Sequence, residues 1–593
     1  MKKHVDTMIT AFRDGFQSVY GARVLTEDFL PAVEAAADAG FSHFEAGGGA
    51  RFQSLYFYCN QDAFEMMDAF REKAGPDANL QTLARGINVV GLDSQPRDII
   101  ELHAKLFKKH GITSIRNFDA LNDVNNLIYS GECIKKAGLS HEVCITLMEL
   151  PPGSSGAHDA AFYMKVLRDI LDSGLPYDSV CFKDASGTSV PSKVYETVKK
   201  ARKLLGDNMK IVFHTHETAG TSITSYKAAL EAGANQIDLS MAPVAGGTAQ
   251  PDVMTMWHAL RDTEYDLGVD IKKVMEAEQI FKECMKDYFL PPEALKVEPL
   301  IPFSPMPGGA LTANTQMLRD NDMMDRYDEI SRAMEDVIQK GGFGTSVTPV
   351  SQFYFQQAFN NVMFGSWKKI AEGYGKMVLG YFGSTPVEPD PKVVSLASEQ
   401  LGLETTSESP LDINDKDESK GVEKASKDLE EAGLEINDEN IFIAATCREK
   451  GIAYLKGEGT LGIRKKDEPV SDSGVYSVKL DGKKFVVDVS RDGVAEIDGK
   501  TISYEISADD SESSENKSGG GDIDVLNAPL AGIVLRLPCS EGDLVDEGET
   551  MIVLESMKME TPVTAPSSGK ILKIHVKQGQ QIKSGEPLLE WEV

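Results

Sequence analysis

Length, composition and charge limit the kinds of protein this chain can be. Of its 593 residues, 41% are hydrophobic and 26% charged, which is enough apolar material for several domain cores and too much for a disordered chain. Lysine and arginine number 61 against 92 aspartates and glutamates, and the resulting net charge of −31 repels phosphate backbones and anionic membranes. We therefore expect no nucleic acid partner, and any anionic substrate has to meet a few local cations or a metal.

Cysteine usage and the first residues indicate the compartment. The seven cysteines are scattered and form no Cys-x-x-Cys pair, which favours a reduced environment. Met1-Lys2-Lys3 is followed by polar residues instead of the apolar run of a secretory signal. No apolar stretch approaches the ~18 residues that a membrane-spanning helix needs. These features predict a cytoplasmic protein with no direct membrane insertion.

Short β-rich runs alternate with longer helical patterns through the first part of the chain, which is typical of βα units around a parallel sheet. The candidate strands are Val5–Met8, His43–Ala46, Leu80–Ala84, Ser114–Phe118, Glu142–Leu147, Ser179–Lys183, Lys210–His214 and Gln236–Ser240. Eight such units in about 250 residues predict an α/β fold, a (β/α)8 TIM barrel, with catalytic residues at the carboxyl ends of the strands. An open, doubly wound sheet is the alternative.

Composition shifts divide the chain into five expected segments. They are a barrel (1–300), a helical extension (301–400), an acidic helical linker with a small β connector (401–506), a flexible Ser/Gly/acidic tether (507–524) and a C-terminal module (525–593). Within the third segment, the tract 407–439 is dense in charge, and we interpret it as solvated helix and linker. Asp481-Gly482 predicts a hairpin turn between two alternating strands of the connector.

The C-terminal module contains an internal repeat. Ala528-Pro529 matches Ala565-Pro566, and Gly542 and Gly548 recur at the same offset. Two such halves predict a small β-sandwich with quasi-twofold symmetry, in which the glycines occupy turns.

Between the two halves stands Ser556-Met557-Lys558-Met559. This segment resembles the biotinyl (biotin carboxyl carrier) domains, whose usual motif is Ala-Met-Lys-Met. The resemblance implies that a biotin protein ligase attaches biotin covalently to Lys558; lipoylation of the same lysine is the alternative. A prosthetic group on a tethered domain visits two active sites at high effective concentration, so the rest of the chain should contain one of them.

Three strand ends of the expected barrel carry metal-ligand residue types. His214 and His216 end the seventh strand, and the strand period of two points both imidazoles to one side. Asp14 follows the first strand, and Lys183 ends the sixth. Two histidines and a carboxylate suit a divalent metal such as zinc, manganese or cobalt. A hydrogen-bonded histidine pair and a Lys183-Asp184 salt bridge are the structural alternatives.

Several motifs along the barrel occur in the order of one known family. They are Arg13-Asp14-x-x-Gln17-Ser18, Arg85-Gly86, Phe118-Asp119-Ala120-Leu121-Asn122-Asp123, Lys183-Asp184-x-x-Gly187, His214-Thr215-His216, Gly246-Gly247-Thr248-x-Gln250-Pro251 and Val347-Thr348-Pro349. Over roughly residues 5–390 the chain resembles the carboxyltransferase domains of pyruvate carboxylases and of oxaloacetate decarboxylase α subunits. With a biotinyl domain and no ATP-grasp biotin carboxylase, the whole chain is similar to the B subunits of two-subunit pyruvate carboxylases.

This resemblance implies a role for each matching residue in the metal site. Asp14, His214 and His216 would bind the metal, and carbamylated Lys183 would supply the fourth, anionic ligand and take part in catalysis. An uncarbamylated lysine would repel the metal.

The resemblance also implies how the substrate is held. Arg85 and Gln17 would bind the 2-oxo acid, with Arg13 beside the metal-binding aspartate. Thr348 would move a proton between the substrate methyl group and the biotin ring nitrogen. Planar guanidinium donors explain how an acidic protein binds an acidic substrate.

The implied function is carboxylation of pyruvate to oxaloacetate together with a separate ATP-dependent biotin carboxylase subunit, in a homo-oligomer. One alternative is the α subunit of a sodium-pumping oxaloacetate decarboxylase. Another is a carboxylase of 2-oxoglutarate, because the family's usual Trp-Gly-Gly-Ala-Thr is here Gly47-Gly48-Gly49-Ala50-Arg51, and Arg51 would add a cation near the site. A third is a non-enzymatic biotin carrier whose barrel serves only for docking.

Overall fold

The computed structural model describes residues 2–466, 474–480, 483–490, 494–497, 500–503, 523–529, 532–556, 559–583 and 585–592. The chain forms two compact units, Met1–Arg464 and Lys465–Val593. Most of the expected tether (507–524), the expected turn Asp481-Gly482 and Lys558 lie outside the described residues.

Eight parallel strands close into a barrel in the first unit. They are Asp6–Ile9 (β1), His43–Glu45 (β2), Asn79–Ala84 (β3), Ser114–Phe118 (β4), Ser140–Thr146 (β5), Ser179–Asp184 (β6), Lys210–Thr215 (β7) and Gln236–Leu239 (β8). The strands follow one another in sequence order, and β1 closes the barrel by pairing with β8. The predicted barrel is therefore confirmed, with strand ends shifted by one or two residues, and the open sheet is wrong.

Helices cover the outside of the barrel, most of them between successive strands and the last two after β8. The longer ones are Thr26–Asp38, Ala63–Ala74, Arg97–Lys109, Asn125–Lys136, Ala160–Asp172, Pro191–Leu205, Ser222–Ala232, Val253–Ala259 and Ile271–Cys284. Their first turns carry the expected signals: the Asp62 carboxylate accepts from the backbone N–H groups of Phe64 and Glu65, and Pro191 occupies the first position of its helix.

A cluster of aromatic side chains supports the segment that follows β1. Ala11–Gly15 forms one π-helical turn, and Phe16–Tyr20 continues it as a short α-helix. Phe12 and Phe16 pack against Phe281 and Phe29 with ring centroids 5.2 and 5.1 Å apart. This π turn carries Arg13 and Asp14, so the aromatic core fixes the backbone from which both side chains enter the barrel mouth.

After the barrel, five helices form the extension expected from the sequence: Gly308–Asp320, Tyr327–Lys340, Val350–Phe364, Glu372–Val378 and Pro391–Leu401. The extension lies against the carboxyl ends of the strands. The Thr146 hydroxyl at the end of β5 donates to Thr345 Oγ1 (2.8 Å), and Gly308 packs so closely on Thr248 that a Cβ would lie 1.6 Å from the Thr248 carbonyl oxygen. Glycine is required there to let the extension approach the barrel mouth.

The acidic tract 407–439, interpreted from the sequence as solvated helix and linker, forms helices that pack onto the barrel. Its helices are Pro410–Asp415, Gly421–Glu431 and Asp438–Leu455. Leu429 and Phe442 are fully buried against the barrel core. The carboxylates of Asp438 and Glu439 pair with Lys105 and Lys109 of the barrel helix Arg97–Lys109. The expected helices are present, whereas the expected linker is wrong, because apolar side chains such as Leu429 attach these helices to the barrel.

The described residues of the second unit form three antiparallel sheets. One is a meander of Gly474–Leu480, Lys483–Ser490, Val494–Ile497 and Lys500–Ser503. The second sheet contains Ile523–Asn527, Pro587–Glu592, Gly569–Ile574 and Leu544–Val545. The third contains Met559–Thr564, Thr550–Ser556, Gly532–Arg536 and Gln581–Ile582.

These last two sheets carry the sequence repeat. Gly542 and Gly548 have φ of 98° and 85°, and their repeat partners Gly579 and Gly585 have φ of 81° and 79°. Equal left-handed turns at equivalent positions indicate that both halves share one hairpin plan. The core between the sheets is built from Val534, Leu554, Ile571 and Leu588, among others.

Because the acidic helices pack on the barrel, truncating a buried apolar side chain there should destabilise the protein more than truncating an exposed one. Phe442→Ala removes a fully buried ring and should lower the free energy of unfolding by about 3–5 kcal/mol, because it leaves a cavity against the barrel. The measurement is urea unfolding of the full chain followed by tryptophan fluorescence. Ile436→Ala, at a side chain 50% exposed, is the control and should change stability by less than about 0.5 kcal/mol. Equal effects of the two changes would contradict the observed packing.

Candidate active and metal site

Asp14, His214 and His216 converge at the carboxyl end of the barrel. All three are buried, and Asp14 Oδ2 lies 3.3 Å from Nε2 of each histidine. Donor atoms that share a tetrahedral metal at about 2.0–2.2 Å are about 3.3–3.6 Å from one another. The donor atoms and their spacing therefore fit a divalent transition metal. Within the described part of the chain, these three residues form a cluster that could bind a metal ion.

Both imidazoles are oriented by partners behind them. His216 Nδ1 donates to the Thr248 carbonyl oxygen (2.7 Å), and His214 Nδ1 donates to Asp238 Oδ2 (2.9 Å). Because a carbonyl oxygen only accepts, the His216 hydrogen is on Nδ1 and the Nε2 lone pair faces Asp14. Burial lowers the pKa of His214, which keeps its ring neutral. This arrangement of ring and outer acceptor is typical of metal-binding histidines.

A buried ionic network lies beneath His214. Arg116 is fully buried, with Nη1 2.6 Å from Asp238 Oδ2 and Nε bonded to Glu142. Burial raises the pKa of Asp238, but the charge of Arg116 and the hydrogen bond from His214 outweigh it and leave that pKa below its ordinary value. Asp238 is thus held as the anion that orients His214.

Asp14 is also ionised. Burial raises its pKa, yet the positive charges of Arg13 and Lys183 lower it well below the ordinary value. Arg13 Nη2 lies 3.3 Å from Asp14 Oδ2 and also pairs with Glu45, so its charge is compensated twice. Lys183 Nζ lies 3.9 Å from the same Asp14 oxygen.

One cavity joins this group to the other residues singled out in the sequence. Its lining includes Arg13, Asp14, Gln17, Arg85, Lys183, His216 and Thr348. His214 lies immediately behind Asp14 and His216. Apolar side chains complete the wall, namely Leu83, Phe118, Pro307 and Val347. The barrel supplies the charged groups, and the extension supplies Pro307, Val347 and Thr348.

Arg85 differs from Arg13 in having no anionic partner. Its Nη1 donates to the carbonyl oxygens of Val90 (2.6 Å) and Gly91 (2.9 Å), and no carboxylate within the described ranges forms a salt bridge with it. Burial, reinforced by the charge of Arg13, lowers the pKa of Arg85 to about 9. A buried guanidinium that faces a cavity without a counter-ion is a binding group for an anion.

Arg51 is not the additional cation that the sequence suggested. Its side chain is buried away from the cavity, its Nη1 donates to the Ala22 carbonyl oxygen (2.7 Å), and its guanidinium packs 5.6 Å from the Phe16 ring and 5.4 Å from the Phe29 ring. Arg51 does not contribute to the cavity lining. The expectation failed because proximity to Gly47-Gly48-Gly49 in sequence does not determine which way the following helix, Ala50–Ser54, directs its side chains.

Sequence reasoning also missed Arg116, Asp238 and the role of Gln250. The sequence does contain a signal for two of them, because each is a charged residue within a largely apolar strand. Arg116 is in the middle of β4, and Asp238 is in β8. A charged residue in a barrel strand needs a buried partner. Which partner it has depends on the closed barrel, in which β4 and β8 lie on opposite sides.

Comparisons with known proteins agree with this architecture. Residues 122–281 match the HMGL-like family, residues 301–495 the conserved carboxylase domain family, and residues 524–590 the family of biotin-requiring enzymes. The carboxyl transferase domain of Rhizobium etli pyruvate carboxylase, solved with pyruvate and biocytin, superposes with a TM-score of 0.69 at 23% identity over 84% of this chain and 88% of that one. This likeness concerns the fold.

Relatives are similar over most of the chain. Among the pyruvate carboxylase B subunits, that of Methanocaldococcus jannaschii is 30% identical over 94% of both chains. The methylmalonyl-CoA carboxyltransferase 5S subunit of Propionibacterium freudenreichii is 30% identical over 68% of this chain and 78% of that one, and the 2-oxoglutarate carboxylase large subunit of Hydrogenobacter thermophilus is 28% identical over 95% and 91%.

The barrel, its extension and the biotinyl domain define a biotin-dependent carboxyltransferase. More specifically, the chain belongs to the family of pyruvate carboxylase B subunits. Among the described residues, no helix has both the length and the apolar character to cross a membrane.

Proposed function

We propose that this chain transfers a carboxyl group between carboxybiotin on Lys558 and a 2-oxo acid, converting pyruvate to oxaloacetate. The observation that carries the proposal is one cavity that contains a metal-ligand cluster, a buried guanidinium without a counter-ion among the described residues, and a hydroxyl group. Lys558 itself lies outside the described residues, and its biotinylation rests on the match of residues 524–590 to biotin-requiring enzymes.

Asp14, His214 and His216 are the proposed metal ligands, and Lys183, carbamylated on Nζ, is the proposed fourth. A divalent metal bound there, zinc, manganese or cobalt, would polarise the substrate carbonyl. The lysine ammonium group would repel a metal cation, whereas an anionic carbamate on Lys183 can bind the metal together with the other three ligands. The ionised state of Asp14 and the free Nε2 lone pairs prepare the protein side of this site.

Arg85 is the proposed partner of the substrate carboxylate, with Gln17 and Arg13 beside it. Of the two arginines that line the cavity, Arg85 is the one whose charge is left for a ligand, since Arg13 is bonded to Glu45 and Asp14. The rest of the wall is apolar at Leu83, Phe118 and Val347, which suits a methyl group. One available cation in an apolar wall favours a monocarboxylic 2-oxo acid over 2-oxoglutarate, although one relative carries the latter name.

Thr348 is proposed as the group that moves the proton. A hydroxyl is a poor base on its own, so it accepts a proton from the substrate methyl group as it gives its own to the biotin ring nitrogen, from which the carboxyl group leaves as CO2. The substrate carbon that lost the proton then bonds to CO2. The negative charge on the substrate in between is stabilised by Arg85 and Arg13 within a largely buried cavity.

Two relatives are B subunits of pyruvate carboxylases, a designation that supports a separate ATP-dependent biotin carboxylase chain as partner. Biotin protein ligase, a homo-oligomeric state and a cytoplasmic location complete the proposal. A purely structural biotin carrier would not need this set of charged residues in one cavity. For an oxaloacetate decarboxylase α subunit the same residues would catalyse the reverse transfer, and co-purification with a soluble or a membrane partner distinguishes the two.

Thr348→Ala should reduce carboxyl exchange between pyruvate and oxaloacetate by about 10²–10⁴-fold, because the proton relay loses its hydroxyl. The exchange is measured with ¹⁴C-labelled pyruvate on the biotinylated chain. Thr348→Ser keeps the hydroxyl and is the matched control, which should retain most of the activity. Biotin on Lys558, measured by mass spectrometry, should be unchanged in both variants. Normal exchange by Thr348→Ala would refute the assigned role.

Arg85→Met should lower kcat/KM for pyruvate by at least about 100-fold, since the variant leaves the substrate carboxylate buried without a cation. In the wild-type chain, exchange with pyruvate should exceed exchange with 2-oxoglutarate. Arg97→Met, which removes a half-exposed surface arginine paired with Asp412, is the control and should leave kcat/KM unchanged. Preference of the wild type for 2-oxoglutarate would overturn the substrate assignment.

A further inference from the structure

The side-chain amide of Gln250 lies among the atoms of the proposed metal site. Gln250 follows β8 and is fully buried. Its Nε2 donates to Asp14 Oδ2 at 3.0 Å and lies 2.9 Å from His216 Nε2 and 3.3 Å from His214 Nε2. One amide nitrogen therefore contacts all three candidate ligand atoms, a role that neither the motif nor the comparisons assign.

The orientation of this amide is determined by a second buried residue. Thr10 follows β1, and its hydroxyl donates to Gln250 Oε1 at 2.6 Å. The same hydroxyl lies 3.1 Å from the Leu239 carbonyl oxygen, and its single hydrogen is directed at the nearer acceptor, Gln250 Oε1, which turns the amide nitrogen toward Asp14. The backbone N–H of Thr10 donates to the Leu239 carbonyl oxygen (2.9 Å), and that of Ser240 donates to the Pro251 carbonyl oxygen (2.9 Å), so backbone contacts at the end of β8 place Thr10 and the loop that carries Gln250.

Asp14 has donors on two sides as a result. Arg13 Nη2 lies 3.3 Å from Asp14 Oδ2 and also forms a salt bridge with Glu45. Gln250 approaches the same oxygen from the loop that follows β8. A carboxylate oxygen that binds a metal can still accept a hydrogen bond, whereas an imidazole nitrogen offers a single lone pair. The contact with Asp14 can thus persist in the metal-bound protein, and the contacts with the two histidines cannot.

We infer that Gln250 is a positioning residue that holds the Asp14 carboxylate in its metal-binding orientation, and that Thr10 fixes the Gln250 amide for this task. The inference rests on the proposed metal site. Partners of this kind behind a metal ligand change metal affinity by about 10- to 100-fold when removed. The opposite effect is the rival explanation: if the amide mainly competes with a metal for the His216 lone pair, its removal strengthens binding.

The test is the affinity of the full-length chain for Mn²⁺, measured by equilibrium dialysis. Gln250→Met, similar in length but without a donor, should bind Mn²⁺ about 10- to 100-fold more weakly than the wild type. Gln53→Met is the matched control: Gln53 is also buried, donates to the Thr446 carbonyl oxygen far from the site, and its loss should leave the affinity unchanged. The visible absorption of bound Co²⁺ should change in Gln250→Met alone, which a general loss of stability would not produce.

Thr10 gives an independent test that does not alter Gln250. Thr10→Val should weaken Mn²⁺ binding, Thr10→Ser should restore it, and Thr10→Val should have no further effect in the Gln250→Met background, because both act on one contact. If Gln250→Met does not fold, the Val and Ser variants of Thr10 decide alone. Unchanged or tighter binding by Gln250→Met, additive effects, or equal affinity of the two Thr10 variants would overturn the inference while leaving the metal site intact. Absence of Mn²⁺ binding by the wild type would instead refute the metal site on which it rests.

Discussion

The buried negative charge of Asp14 is the element on which the active-site arrangement depends. A carboxylate at this depth is costly unless opposite charges and hydrogen bonds surround it. Arg13, His214, His216, Lys183 and Gln250 all lie within 4 Å of its Oδ2. Because these side chains come from four different strand ends, the whole barrel has to form before the charge is compensated. Closure of the barrel therefore completes the fold and assembles the site at the same time.

The same constraint explains how an acidic protein can act on an acidic substrate. Long-range repulsion from a net charge of −31 is screened over about a Debye length, whereas a buried cation acts at contact in a medium of low dielectric constant. Within the cavity, the positive charge of Arg13 is used internally, and that of Arg85 is left for a ligand. The negative charge of residues 401–455 is partly neutralised by barrel lysines such as Lys105 and Lys109.

Much of the fold could be predicted from the sequence because the signals are local. The barrel strands are short β-rich runs at regular spacing, and all eight are present in the structure. His214 and His216 could be placed on one side of a strand by its period alone, and both face Asp14.

What the sequence could not provide is the choice of distant partners. Arg116 meets Asp238 across the barrel, Gln250 receives its orientation from Thr10, and Leu429 packs on the barrel from a tract whose charge suggested solvent. Arg51 was misplaced for the same reason, since its neighbours in sequence are not those in space. Each of these contacts joins residues far apart in the chain and depends on the closed barrel.

We propose that this chain performs only the carboxyl transfer and depends on a second chain for ATP-driven carboxylation of biotin. The direct measurement is oxaloacetate formation from pyruvate, ATP and bicarbonate by the purified biotinylated chain, with and without a purified biotin carboxylase chain. The account predicts no oxaloacetate from the chain alone and steady formation once the second chain is added. ATP-dependent formation of oxaloacetate by the chain alone would contradict it.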